Sequence, residues 1–168
     1  MNDKNNLLII REFTQDDWSF VKSIYQQGLD SNIATFQTLC PSFDEWNDGH
    51  LQDCRFVAVY EEKVIGFAAL SPTSKREVYR GVVEVSIYID MQHTNKGIGT
   101  TLFSHLINVA KENGYWSLYS SVIEENNASI ALHEKCGFRK IGFREKIARD
   151  RFNHWHNTIL FERRNDLI

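Results

Sequence analysis

The chain has 168 residues, a formal net charge of −3 at neutral pH, 42% hydrophobic and 12% aromatic side chains. That much apolar surface in a chain of single-domain length offsets the entropy of ordering it and excludes a disordered protein. The mildly acidic balance provides no field to gather nucleic acid, and three scattered cysteines, Cys40, Cys54 and Cys136, exclude a disulfide framework and suggest no zinc pair.

In chain order, Leu7 to Glu12 reads as a strand, and Thr14 ahead of an Asp-rich turn caps a helix from about Asp16 to Leu29. Phe20, Ile24 and Val21 form its inner stripe. Ser42 caps a second, short helix from Phe43 to about Leu51, with Phe43 and Trp46 three apart. Arg55 to Tyr60 and Val64 to Leu70 flank Glu61-Glu62-Lys63 as a hairpin. After a loop from Ser71 to Lys75 comes a long strand near Val82 to Asp90. A helix then runs from about Gly97 to Glu112, with Ile98, Leu102, Leu106 and Val109 at helical spacing and Gly114 as its stop. Trp116 to Val122 is a strand and Asn127 to Lys135 a helix ending at Gly137. Phe138 to Ile147 and Trp155 to Glu162 are the last strands.

With no linker, repeat or low-complexity tract, residues 1–168 are expected to form one domain. The element order implies a three-layer α/β (α+β) fold. Its core is a mixed, mostly antiparallel sheet of six to seven strands flanked by about four helices. Met1 to Asn6 is polar and lacks the apolar core of a signal peptide, and no run is long enough to span a bilayer. A cytoplasmic protein with a small-molecule partner, and neither nucleic acid nor membrane, is expected.

The segment Asn95-Lys96-Gly97-Ile98-Gly99-Thr100-Thr101-Leu102 joins an apolar strand to an amphipathic helix. Glycines there leave no Cβ in the way of a phosphate, and the helix start offers unpaired N–H groups and a positive dipole end. A dinucleotide fingerprint needs a small residue where Leu102 stands, and a P-loop needs its lysine after the second glycine, so both are rejected. The remaining readings are a pyrophosphate cradle and a plain helix cap. A Glu on the preceding strand, and Asn-Asn-Ala-Ser-Ile-Ala-Leu-His downstream, favour the cradle and coenzyme A chemistry.

Thr94-Asn95-Lys96-Gly97-Ile98-Gly99 and Asn126-x-x-Ser129-Ile130-x-Leu132-His133-x-x-x-Gly137-Phe138 resemble the two coenzyme A motifs of the GNAT (Gcn5-related) N-acetyltransferases. The resemblance covers essentially Leu8 to Arg163. It is closest to the phosphinothricin and methionine sulfoximine acetyltransferase branch, through Ala34-Thr35-Phe36, Leu70-Ser71-Pro72, Val83 to Tyr88, Leu132-His133-Glu134 and His154-Trp155-His156. It implies acetyl-CoA as donor, no metal, a homodimer, and acetyl transfer to the α-amine of a small amino-acid analogue. Donor contacts are implied for Ile87, Tyr88, Ile89, Thr94, Asn95, Lys96, Gly97, Ile98, Gly99, Thr100, Asn126 and Ser129. Two positions depart from the branch: Thr94 replaces the usual Arg or Gln, so weaker donor binding is expected, and Asn157 replaces an Asp.

Transfer from a thioester to an amine needs a neutral amine, a polarised carbonyl and a leaving thiolate. Glu84, inside an apolar strand, is the candidate base, because burial raises a carboxyl toward working pH; its bland reading is an outward-facing strand residue. His133 is the candidate acid for the thiolate, or an aid to the base, set against a helix-surface or satisfied interfacial histidine. A carboxylate-bearing acceptor suits an Arg fork, so Arg76 with walls Phe36 and Tyr79 forms the candidate acceptor site, set against a solvated loop cation. His154 and His156 are placed to reach a neighbouring active site in a dimer. Cys136 reads as packing, so attack is direct. The alternatives are an acetyltransferase for protein N-termini or another amine, and a noncatalytic acyl-CoA sensor.

Overall fold

Seven short runs with apolar faces pair into one twisted sheet, described over residues 7–166 in a computed structural model. The polar stretch Met1 to Asn6 lies outside the described residues. The strands are β1 (Ile9–Glu12), β2 (Arg55–Tyr60), β3 (Lys63–Pro72), β4 (Val82–Ile89), β5 (Ser117–Ile123), β6 (Arg139–Arg149) and β7 (Trp155–Arg164). The helices are α1 (Trp18–Ser31), α2 (Phe43–Gly49), α3 (Ile98–Glu112) and α4 (Asn127–Lys135). The sheet order is β1-β2-β3-β4-β5-β7-β6, antiparallel throughout except for β4 with β5.

β3 is buried on both faces, which explains its unbroken apolar sequence. Ile65, Ala68 and Leu70 face a core filled by Leu102, Phe103 and Leu106 of α3, while Phe67 and Ala69 face Val21, Ile24 and Trp46 of α1 and α2. Burying each such large side chain contributes about 1.5–3 kcal/mol. The result is the expected three-layer arrangement.

Two expectations need correction. Phe20 is 41% exposed, and Val21, Ile24 and Leu29 carry the inner face of α1. That helix also begins at Trp18, because Gln15–Asp17 form a 3-10 turn in which Asp17 accepts the Thr14 N–H at 2.8 Å and two bonds from Arg11 at 2.7 and 2.8 Å.

The parallel contact between β4 and β5 is short. Only Val82, Val83 and Glu84 pair with Ser117, Leu118 and Tyr119, although both strands continue beyond that point. The carbonyl of Gly81 accepts the N–H groups of Trp116 and Ser117 at 2.9 and 3.1 Å. A Cβ on Gly81 would lie 2.1 Å from Trp116 Cε3, so only glycine admits the indole here. Past Glu84 the strands part.

Candidate active site

A cavity of about 1280 Å³ opens where β4 and β5 separate, with Glu84 to Ile89 on one wall and Ser120 to Ile123 on the other. The edge of β4 that faces β5 is unpaired beyond Glu84 among the described residues, so its backbone polar groups border the cavity.

At one end stands the start of α3. Gly97, its N-cap, has φ +76° with nothing within 4 Å of a built Cβ, so conformation alone demands glycine there. At Gly99 a built Cβ would meet Leu132 Cδ2 at 3.4 Å and Ile89 Cγ1 at 3.7 Å, ordinary van der Waals contact, so the packing there does not itself require glycine. Thr94, Asn95, Gly97, Gly99 and Thr100 line this end together with Ile87, Tyr88, Ile89, Asn126 and Ser129. Lys96 is exposed and Ile98 is buried in the core, and neither lines the cavity. Thr94 spends its hydroxyl on the Met91 carbonyl at 3.2 Å. Asn126 caps α4, its Oδ1 accepting the Ser129 N–H at 3.1 Å.

A tether not visible in the sequence supports the turn before this loop. Asp90 accepts a bond from Gln27 Nε2 at 2.8 Å and lies 2.5 Å from His93 Nδ1, while Gln27 Oε1 accepts the Met91 N–H at 2.9 Å. These bonds fix the turn to α1, and they hold the Asp90 carboxyl below its ordinary range despite burial.

Glu84 sits at the point where the strands part, opposite Ser71 on β3 and Tyr119 on β5. Burial pushes its pKa up. Four residues further along the same face, Tyr88 turns its hydroxyl inward beside Tyr25, with ring centroids 5.2 Å apart. Burial raises both phenols, Tyr88 far more, and Thr35 tempers each shift. A Cβ on Gly28 of α1 would lie 2.7 Å from Tyr88 Cε1, so a glycine in mid-helix makes room for this ring. Thr35, from the Ala34-Thr35-Phe36 motif, joins Glu84 around the cavity together with Tyr25, Ser120 and Ser121, which no motif singled out.

His133 also borders the cavity, but it does not suit the role of acid. It is 2% exposed, with its ring among Phe103, Phe138 and Phe161. Nδ1 lies 2.7 Å from the Ser129 carbonyl, a contact that requires the proton on Nδ1. Nε2 is then left bare, buried and without a partner. Burial lowers the pKa and outweighs the Ser129 bond, which raises it, so the neutral ring is favoured and its proton sits on Nδ1, not Nε2.

The acceptor residues separate. Phe36 lines the cavity, with its ring 6.1 Å from that of His156. Arg76 and Tyr79 do not; the guanidinium lies over the Tyr79 ring at 5.3 Å, in the turn between β3 and β4. Arg80, beside them, lies 3.4 Å from Glu77 and over Trp116. His154 is exposed, whereas His156 turns inward between carboxylates of its own chain. Burial raises the Cys136 thiol, which leaves it a poor nucleophile. Among the described residues, no cluster of His, Cys, Asp and Glu is arranged for a metal ion, and no helix is long and apolar enough to cross a membrane.

The Acetyltransferase (GNAT) family matches residues 10–138. A phosphinothricin N-acetyltransferase from Streptomyces viridochromogenes is 29% identical over 168 aligned positions, 97% of this chain and 91% of its own. A phosphinothricin acetyltransferase from Sinorhizobium meliloti, solved in complex with AcCoA, superposes with a TM-score of 0.84 at 27% identity over 94% of this chain and 88% of its own. A ribosomal-protein-alanine N-acetyltransferase from Brucella melitensis gives 0.84 at 27% identity, over 94% and 99%. A match over most of the chain, on a sheet that splits beside a glycine-capped helix, makes this protein a member of the GNAT acetyltransferase family.

Proposed function

We propose that the chain is a single acetyltransferase domain that moves acetyl from acetyl-CoA directly to the α-amine of a small amino-acid analogue of the phosphinothricin or methionine sulfoximine type. One observation carries the reading: a half-buried carboxylate stands where β4 and β5 part, and the resulting cavity runs from it to a glycine-capped helix start. The relatives named for phosphinothricin support the acceptor class.

The residues fit the donor. The open edge of β4 and the αL glycine of α3 offer backbone N–H groups to an extended polar chain ending in phosphates. Acetyl-CoA supplies the activated acetyl group as a thioester. Glu84, its carboxyl raised by burial, takes the proton from the acceptor ammonium, directly or through one water, and so frees the lone pair. An N–H of the Ile87 to Ile89 edge polarises the thioester oxygen, and the walls of Phe36, Tyr25 and Tyr88 limit water. Neutral His133 enters the proton path only as an acceptor, and otherwise locks α4 against the core. Arg76 and Tyr79 form a rim pair outside the cavity, available to an acceptor carboxylate only if their loop moves inward.

We assign a cytoplasmic location, in keeping with free Cys40, Cys54 and Cys136. We also assign a homodimer, because β6 and its hairpin expose Ile141, Phe143, Ile147, Phe152 and Trp155. Sedimentation at two protein concentrations tests the assembly. The acceptor is tested by free-thiol release from acetyl-CoA over a panel of phosphinothricin, methionine sulfoximine, methionine sulfone, ordinary amino acids, polyamines and short peptides. Turnover confined to the tetrahedral-side-chain amino acids is the expected result. The Brucella relative favours a second reading, acetylation of protein N-termini, which turnover of the peptides alone would support.

A further inference from the structure

We infer that His156 is a positioning residue for the acceptor side: held between Asp150 and Glu125, its charged imidazole fixes, through Asn32, the segment that carries Thr35 and Phe36 along the cavity. The bonds are direct. Asp150, in the hairpin between β6 and β7, accepts from His156 Nε2 at 2.7 Å and from Asn32 Nδ2 at 2.6 Å on one oxygen. Its other oxygen accepts the N–H groups of Phe152 and His154, both at 2.9 Å. The carboxylate side chain is 4% exposed, so four donors stand in for water.

On the far side of the ring, Nδ1 lies 3.2 Å from Glu125 Oε1, near enough for charge attraction but off the line of a hydrogen bond. An imidazole flanked by two carboxylates is favoured in its charged form: the bond to Asp150 raises its pKa, burial opposes the rise, and Glu125 adds to it. The other titratable neighbours are His154, 3.6 Å from Asp150; Arg151, 3.9 Å from Asp30 on α1; and Glu124, which takes a bond from Asn157. Asn32 ends α1 in the left-handed region, and the chain then passes directly to Ile33–Gln37, all lining the cavity. Glu125 precedes Asn126, the cap of α4. The chain of contacts therefore links the cavity-lining segment 33–37 to the residue that precedes the cap of α4.

The sign follows from the raised pKa. The restraint is full below the ordinary histidine value and fades as pH rises through the raised one. The kinetic test rests on the proposed acetyl transfer, while an exchange measurement does not. In His156→Gln, which keeps a donor but loses the charge, hydrogen-exchange protection of residues 33–37 should fall selectively. The acceptor KM should rise about tenfold, the worth of one charge-assisted hydrogen bond, with the acetyl-CoA KM nearly unchanged. In the wild type the acceptor KM should climb with pH; His156→Gln should lack that climb, and Asp150→Asn should shift it to lower pH. Unchanged protection of 33–37 in both variants, or a pH-dependent climb that survives His156→Gln, would overturn the proposal. If no amine is turned over by the wild type, the acetyl-transfer reading fails and the exchange result alone decides this one.

Discussion

Replacing Glu84 with Gln removes a proton acceptor while keeping its size and its place between Ser71 and Tyr119. A positioned general base contributes roughly 10²–10⁴-fold, which corresponds to about 3–5.5 kcal/mol of barrier. We expect kcat to fall within that range while acetyl-CoA affinity, set at the far end of the cavity, changes little. The pH dependence gives a sharper test. Wild-type kcat should rise with pH through the elevated Glu84 pKa and then level off, since neutral His133 has no proton whose loss would bring a second fall. The Gln variant should lose the acid limb. Stability should move the other way: a carboxyl whose pKa is raised in the folded state favours folding when protonated, and that contribution is lost as pH rises through the folded value. At neutral pH Glu84→Gln should therefore unfold at the same temperature as the wild type or higher. The assay is thiol release under saturating donor and acceptor, with thermal unfolding on the same preparations. Turnover within threefold of wild type at neutral pH, or an acid limb that persists, would refute the assignment.

Gly97→Ala places a Cβ in the left-handed region without a clash and should cost about 1–2 kcal/mol by urea unfolding, together with weaker acetyl-CoA binding. Asn at the same position should recover part of that stability, because it tolerates the conformation. Gly81→Ala forces the Trp116 ring out of its seat and should cost about 1–3 kcal/mol or more, read from the urea midpoint. Cys136→Ala should leave kcat essentially intact, and mass spectrometry after mixing with acetyl-CoA should find no acetyl group on Cys136; an acetylated thiol would exclude direct attack.

The fold was largely legible because its signals are local. Apolar runs, Ser42 as a cap, and glycines at helix ends each record a physical demand of one element. The boundaries slipped where two elements compete for the same residues, as at Gln15–Asp17, where the cap tightens the first turn. At the site, Glu84 and the glycine turn were readable, since a charge in an apolar strand and glycines before a helix are anomalies in one dimension. Tyr25, Thr35 and Tyr88 meet only in three dimensions, and the ties from Asn32 to Asp150 and from Gln27 to Asp90 span 118 and 63 positions of sequence. An acid role for His133 follows from its residue type and its place in the branch motif, whereas its state in the fold is set by three phenylalanines and one carbonyl. Arg76 reads as an acceptor fork from its charge, and the geometry sets its guanidinium over Tyr79.

The short seam between β4 and β5 divides the sheet into two leaves, β1 to β4 and β5 to β7, joined along the backbone by three residue pairs. Each leaf is broad and antiparallel, so each resists bending far better than the seam between them. The sheet is thus mechanically a book with a stiff pair of covers and a narrow spine, and Glu84 is bound into the spine. A molecule gripped by both covers gains its full contacts at one opening angle only, and by mass action it holds the book at that angle.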